Sequence, residues 1–135
     1  MKLIFVLCAV ILVQYATAKS ALNDEEDERW ACVEGVFREL EADPERLGHL
    51  ALEFFNMVSE SRAGRQRCYD MLSDPPTELE RRRHEACMIA WRATLLRDVN
   101  RLRRAAQDSD VQETFEQLQR DIMDCLDATS DEIID

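Results

Sequence analysis

Apolar side chains recur every three or four residues along most of the chain, and this spacing predicts helices rather than strands. The longest such stretch runs from Thr77 to Ala106 without a glycine or proline. Its apolar positions are Leu79, Cys87, Trp91, Leu95, Val99, Leu102 and Ala106, and Met88, Ile89, Ala93 and Leu96 widen the stripe. A stripe this broad is typical of a helix that neighbours contact on more than one side. We predict a central helix of roughly 45 Å whose neighbours hide Cys87 and Trp91.

Turn-forming residues mark the start of this central helix. Thr77 followed three positions later by Glu80 is a capping-box pattern, in which two side chains satisfy backbone donors of the first turn. Pro75 and Pro76 disfavour helix just before it, and Asp74 is an alternative cap with Pro75 at the first helical position.

Two helices are predicted before the central one and one after it. The first covers about residues 28–42, and the second covers about 44–63 with Gly64 as its terminator. A brief helix over residues 65–72 is a further possibility. The inward positions of the first two helices are Trp30, Val33, Phe37, Leu40, Leu47, Leu50, Ala51, Phe54, Met57 and Val58.

The last helix follows a polar turn at residues 107–110. Either Asp110 with Glu113 or Ser109 with Gln112 provides its cap. Its seam toward the central helix is Val111, Phe115, Leu118, Ile122 and Cys125. The fold class is therefore all-α: a small disulfide-stabilised bundle of four to five helices around a long central helix, in a single domain over residues 29–128.

The two ends of the chain differ from this domain. Residues 1–18 have one early lysine, an apolar run and the small residues Ala16 and Ala18, a pattern that predicts a secretory signal peptide, with a membrane anchor as the alternative. Residues 19–28 are an acidic leader that we predict to be disordered, and residues 129–135 are an acidic tail that we predict to fray. No later stretch is long and apolar enough to predict a membrane span.

Four cysteines follow the predicted signal peptide, namely Cys32, Cys68, Cys87 and Cys125. No pair has the spacing of a zinc site, and an even number in a small exported chain favours two disulfides, for which three pairings are possible. Residues 31–33 and 68–74 have loose echoes at 86–88 and 125–131, and a duplication of that kind favours the pairs Cys32–Cys68 and Cys87–Cys125.

Charge is unevenly distributed in a chain of net charge −11. Between Arg62 and Arg104 there are eleven arginines and six acidic residues, whereas the ends are strongly acidic. Arg97, Arg101 and Arg104 share one helix face, where they pair with acids such as Asp121 and Asp124 or form an anion site. The overall sign of the charge argues against nucleic acid as a partner.

No catalytic or cofactor motif is present, so we predict a protein that is not an enzyme, with no cofactor and no bound metal. His84-Glu85 lacks the second histidine of a zinc-protease helix, no serine lies in a GxSxG setting, and three glycines leave no phosphate-binding loop. His49 lies among leucines and is predicted to be packed at the core or its boundary.

The remaining functions are binding functions. One is a secreted carrier of a small hydrophobic molecule, and the other is a secreted effector that binds an extracellular protein through its charged surface, such as a venom, salivary or cytokine-like factor. The candidate ligand-binding residues are Phe54, Met57, Met88, Trp91, Phe115 and Met123, with Arg97 or Arg101 at the mouth of the cavity. The alternative for these apolar residues is that they only fill the core.

Overall fold

A computed structural model of the chain describes residues 25–133, and these residues form an all-helical bundle. The four main helices are α1 (25–41), α2 (Ala51–Asp70), α3 (Glu78–Ala105) and α4 (Ser109–Leu126). Short 3-10 helices cover Pro44–Leu50 and Ser130–Glu132. The described part of the chain contains no strand, so the predicted fold class is confirmed. The predicted signal peptide and residues 19–24 lie outside the described residues.

The central helix begins where the capping box places it. Thr77 accepts a hydrogen bond from the Glu80 amide, and the Glu80 carboxylate accepts one from the Thr77 amide, so both halves of the box are formed. With 28 residues, α3 is about 42 Å long. The alternative cap at Asp74 is not used.

Burial along α3 is less even than the apolar stripe predicts. Its second half is well covered, since Leu95, Leu96 and Val99 are almost fully buried. In the first half, Leu79 and Ile89 are 56% and 63% exposed, because the bundle covers only one side of the helix there. Other residues of this half are partly covered, among them Cys87 and Trp91.

The second helix is longer than the sequence pattern predicts. Gly64 lies inside α2, which continues through the predicted brief helix to Asp70, so its assignment as a terminator is wrong. Gly48 is the glycine that has a positive φ, with φ 54° and ψ −135°. It makes a kink within the 3-10 segment, so the predicted second helix is not continuous and α2 begins only at Ala51. A Cβ on Gly48 would lie 2.6 Å from Val111 Cγ2, so this kink also lets α4 approach closely. His49 follows the kink and is exposed, contrary to its predicted packing, because the inward positions there are Leu47 and Leu50.

Aromatic rings occupy the centre of the core. The Phe54 ring lies 6.3 Å from that of Phe37 and 6.5 Å from that of Phe115, measured between centroids, and all three residues are completely buried. The cluster brings together α1, α2 and α4, and α3 adds its buried leucines and Val99. The predicted seam of α4 is buried from Val111 to Ile122, and Cys125 is half-buried.

The disulfides are Cys32–Cys125 and Cys68–Cys87, so the favoured pairing is wrong. Cys68 and Cys87 lie on consecutive antiparallel helices joined by a short loop, which brings their Cα atoms to 5.5 Å. Cys32 on α1 and Cys125 near the end of α4 are also 5.5 Å apart. The bridges therefore do not close two separate halves of the chain, as the loose sequence echo implied.

The ends of α4 also differ from the prediction. Its cap is Asp108, whose side chain accepts a hydrogen bond from the Asp110 amide, so neither predicted capping pair is used. Asp127 ends the helix in the left-handed conformation at φ 51°. The following residues are anchored rather than frayed as far as Glu132, which pairs with Arg92 on α3 at 2.6 Å.

The capping box makes a specific contribution to acid stability. Glu80 accepts hydrogen bonds from Thr77 and Ser73, and these bonds lower its pKa to about 2 from 4.5. A carboxyl with a depressed folded-state pKa stabilises the fold above its unfolded pKa, and this stabilisation is lost as the pH falls through the folded value. We expect Glu80→Gln to remove the part of the acid-unfolding slope between about pH 4.5 and pH 2 that Glu80 contributes.

Urea denaturation at a series of pH values measures this slope. Glu113→Gln is the control, because Glu113 is an exposed carboxylate on α4. An unchanged slope in the Glu80→Gln protein would show that the box does not hold this carboxylate ionised.

Candidate functional site

A groove with a volume of about 520 Å³ lies between α2 and α3. On each helix every lining residue has another lining residue three or four positions away, as expected for two facing helix sides. They are Met57, Glu60, Ser61, Ala63, Gly64, Arg67 and Cys68 on α2, and Cys87, Ala90, Trp91, Thr94, Leu95 and Asp98 on α3. The groove exists because small side chains, Ala63, Gly64 and Ala90 among them, line the space between the helices.

Trp91 has the largest apolar side chain of the residues that line the groove. Its indole Nε1–H donates a hydrogen bond to the Ser61 carbonyl oxygen at 2.9 Å, which fixes the orientation of the ring. A Cβ on Gly64 would lie 3.3 Å from Trp91 Cδ1, so the glycine permits close approach of the indole to α2. The Cys68–Cys87 disulfide covalently joins the two helices at one end of the groove.

Ser61 is the one unsatisfied polar group among the groove residues that the structure describes. Its residue is 8% exposed, and its Oγ is buried without a hydrogen-bond partner. A helical serine commonly donates to the carbonyl four residues earlier, and Ser61 does not. An unsatisfied buried hydroxyl lowers stability.

Charged side chains stand at the two ends of the groove. Glu60 and Asp98, from opposite helices, lie at the end away from the disulfide, and both also line an adjoining depression of about 250 Å³ with Glu53 and Arg101. Arg101 contacts Asp98 at 3.4 Å, whereas Glu60 forms no ion pair with any described residue. Arg67 lies next to Cys68 at the other end.

A polar cluster beside the disulfide holds the start of α1 in place. His84 Nδ1 lies 2.7 Å from the Cys68 carbonyl oxygen, so Nδ1 carries a proton, and Nε2 lies 3.0 Å from a Glu26 oxygen. The Tyr69 hydroxyl donates to the same Glu26 oxygen at 3.0 Å. Burial, and then the charge of Glu26, raises the pKa of Tyr69. Residues 25–28, predicted as part of a disordered leader, are therefore helical and bonded to α2 and α3.

Two arginines of α2 complete the attachment of α1. The Arg65 guanidinium lies 4.7 Å from the Trp30 ring centroid and 4.4 Å from that of Tyr69, and it pairs with Asp27 at 3.1 Å. Arg62 pairs with two carboxylates of α1, at 2.7 Å and 2.6 Å, and hydrogen bonding to the second of them, Glu41, raises its pKa. These contacts make α1 and α2 a fixed support for the groove.

The structure distributes the predicted ligand-binding residues over several places. Met57 and Trp91 line the groove. Phe54 and Phe115 lie in the aromatic core and contact each other. Met88 lines a separate depression of about 280 Å³ that Trp91 also borders. Met123 lines a third depression, together with Arg103 and Arg104. Arg101 lines the depression next to the groove, and Arg97 is exposed.

Several groove residues were not identified from the sequence. Glu60, Ser61, Gly64 and Asp98 lie on the predicted helices, and their helical spacing was visible, but only the packing of α2 against α3 shows that they face one another. The predicted pairing of Arg101 with α4 acids is also not found, since Arg101 contacts Asp98 and Asp121 accepts a hydrogen bond from Gln117. Glu78 and Arg82, four residues apart on α3, form an ion pair at 2.9 Å.

Comparison with known proteins does not identify a relative. No family model, no curated protein and no solved structure matches the chain. Among residues 25–133, no helix combines the length and apolar character needed to cross a bilayer. Within the same residues, no group of three or more His, Cys, Asp or Glu side chains is arranged to hold a metal ion.

Proposed function

We propose that the protein is a secreted, non-enzymatic carrier that binds a small hydrophobic molecule in the groove between α2 and α3. The observation that supports this most directly is the groove itself, whose largest apolar side chain, Trp91, is held by a hydrogen bond to α2. Its volume of about 520 Å³ lies within the range of small-molecule sites, roughly 300 to 1,000 Å³. Two disulfides in a small chain support the secreted location, because such bridges persist in oxidising compartments.

The arrangement of the groove suits binding more than chemistry. Its walls are two helices fixed by the Cys68–Cys87 bridge, so a ligand meets a preformed surface and little ordering of the protein opposes binding. The titratable groups at its ends are one arginine and two carboxylates, which can orient a ligand.

A pair of alanine substitutions tests the carrier function. Ala90 and Ala93 are both exposed on α3, three residues apart, but only Ala90 lines the groove. We expect Ala90→Trp to weaken the binding of octan-1-ol by at least roughly tenfold, because the added ring fills volume that the ligand occupies. Ala93→Trp, the matched control, should leave the affinity unchanged.

Fluorescence of Trp91 during titration with octan-1-ol measures this affinity. The measurement is made in a Trp30→Phe background, because Trp30 contacts Trp91 at 5.8 Å and would add its own signal. The new tryptophan of either variant adds its own fluorescence, so isothermal titration calorimetry provides a second readout that does not depend on it. Saturable binding that Ala90→Trp leaves intact would contradict the proposed location, and the absence of any binding would contradict the carrier function.

A second candidate function is binding to an extracellular protein. The observation that favours it is that Leu79 and Ile89 are largely exposed on α3, a helix that also exposes Arg82 and Arg97. Apolar side chains rimmed by arginines are typical of protein interfaces. If octan-1-ol and other small apolar molecules fail to bind, this face becomes the preferred candidate.

A further inference from the structure

The charges around the groove suggest which class of small molecule it binds. Glu60 on α2 and Asp98 on α3 stand on facing walls at the same end, and Glu53 lies beyond them. Glu60 has no cationic partner among the described residues. The cation nearest Asp98 is Arg101, whose guanidinium lies 3.4 Å from the Asp98 carboxylate and whose side chain is 69% exposed. This end of the groove therefore offers negative charge that the described part of the protein neutralises only partly.

The middle of the groove differs from this end. Trp91 lies there, and its half-buried indole presents apolar surface. A ligand that combines an apolar body with a nitrogen bearing N–H groups would match both parts of the groove, since the body covers the indole and the N–H groups can donate to the carboxylates.

An anionic ligand matches these features less well. The charge of an anion would meet two carboxylates at one end of the groove. At the other end the groove has one cation, Arg67. Arg67 lies in the last turn of α2, where its charge already offsets the helix dipole.

We propose that the occupant of the groove is a small organic cation whose charged nitrogen lies between Glu60 and Asp98 while its apolar body packs on Trp91. This inference rests on the proposed carrier function and specifies its ligand class. It assigns Glu60 and Asp98 as the residues that select for charge and Trp91 as the surface that contributes apolar contact.

Three probes with the same eight-carbon body test the charge preference, namely octylamine, octan-1-ol and octanoate, compared at pH 7.4. We expect octylamine to bind the wild-type protein about tenfold more tightly than octan-1-ol, because its ammonium group is attracted by two carboxylates that are partly exposed. Octanoate should bind most weakly. The preference for octylamine should decrease in 0.5 M NaCl, which screens exposed charges.

The double substitution Glu60→Gln with Asp98→Asn identifies the carboxylates responsible. It should reduce octylamine affinity about tenfold, to the level of octan-1-ol, and should reduce the affinity for octan-1-ol much less. Glu113→Gln is the control for the effect of the overall negative charge. It removes an exposed carboxylate of α4 that does not line the groove, so it should leave both affinities unchanged. Denaturation midpoints of the variants show whether the fold is intact.

The possible results separate this inference from the proposed function. If octan-1-ol binds as tightly as octylamine, or if the double variant weakens both equally, the cation preference is wrong while the groove remains a binding site. If Glu113→Gln weakens octylamine as much as the double variant does, the preference comes from the overall charge and the assignment of Glu60 and Asp98 is wrong. If none of the three probes binds, both proposals are overturned.

Discussion

Replacing Cys32 and Cys125 by alanine should lower the free energy of unfolding by about 4 to 5 kcal/mol. The two cysteines are separated by 93 residues, so their bridge restricts almost the whole folded chain when it is unfolded. In the chain-entropy model a loop of about this length contributes about 4.7 kcal/mol at 25 °C. Cys32 is exposed and Cys125 is half-buried, so little of the loss should come from packing. Urea denaturation under non-reducing conditions measures the change.

The second bridge provides the comparison. Cys68 and Cys87 are separated by 19 residues, for which the same model gives about 3 kcal/mol. Cys68 is 1% exposed, so its replacement by alanine adds a packing loss that the first pair lacks. Replacing Cys68 by valine instead of alanine keeps an apolar side chain at this site and isolates the effect of the cross-link.

The single variant Cys32→Ala tests the pairing directly. It should release one thiol, and alkylation followed by peptide mapping should find it at Cys125. Modification at Cys68 would instead support the pairing that the sequence echo favoured. A loss of stability below about 2 kcal/mol in the Cys32 and Cys125 double variant, with the pairing confirmed, would show that the unfolded chain is already compact around this bridge.

Signals that act within a few residues predicted the fold well. The capping box at Thr77 and Glu80 placed the start of α3 to within one residue, because both hydrogen bonds involve only the first turn. The apolar seam of α4 predicted its buried face in the same way, from Val111 to Ile122. In both cases the helix itself determines which residues come together.

Features that depend on packing between helices were predicted poorly. Gly64 illustrates this, because glycine serves both as a helix terminator and as a site of close approach, and the two uses have the same local sequence. Its second role follows from Trp91, which lies on another helix and contacts the site at which a Cβ would stand. The cysteine pairing failed for the same reason, since it depends on which helices are neighbours.

The candidate site shows the same division. Met57 and Trp91 were identified as ligand contacts from their residue types, and both line the groove. Phe54 and Phe115 have equally suitable side chains but lie in the core. The sequence pattern distinguishes the buried face of a helix from its exposed face, but it does not distinguish a core position from a groove position on that buried face.

Two adjacent phenylalanines provide the second large prediction. Phe54 is completely buried, and its ring contacts those of Phe37 and Phe115, so Phe54→Ala should reduce the free energy of unfolding by about 3 to 5 kcal/mol. Phe55 is 36% exposed and contacts mainly the edge of the same cluster, with its ring 5.8 Å from that of Phe54. Phe55→Ala should cost about 1 kcal/mol, the scale of one aromatic pair.

Urea denaturation followed by far-ultraviolet circular dichroism measures both changes with the disulfides intact. If Phe54→Ala does not fold, Phe54→Leu retains much of the side-chain volume and should still be less stable than Phe55→Leu. Equal losses at the two positions would mean that the Phe37, Phe54 and Phe115 cluster is not the centre of the core.

Because Phe54 precedes Met57 by one helical turn, the same substitution also tests whether a rigid core is needed to hold the groove open. Octan-1-ol binding should weaken in Phe54→Ala and remain unchanged in Phe55→Ala.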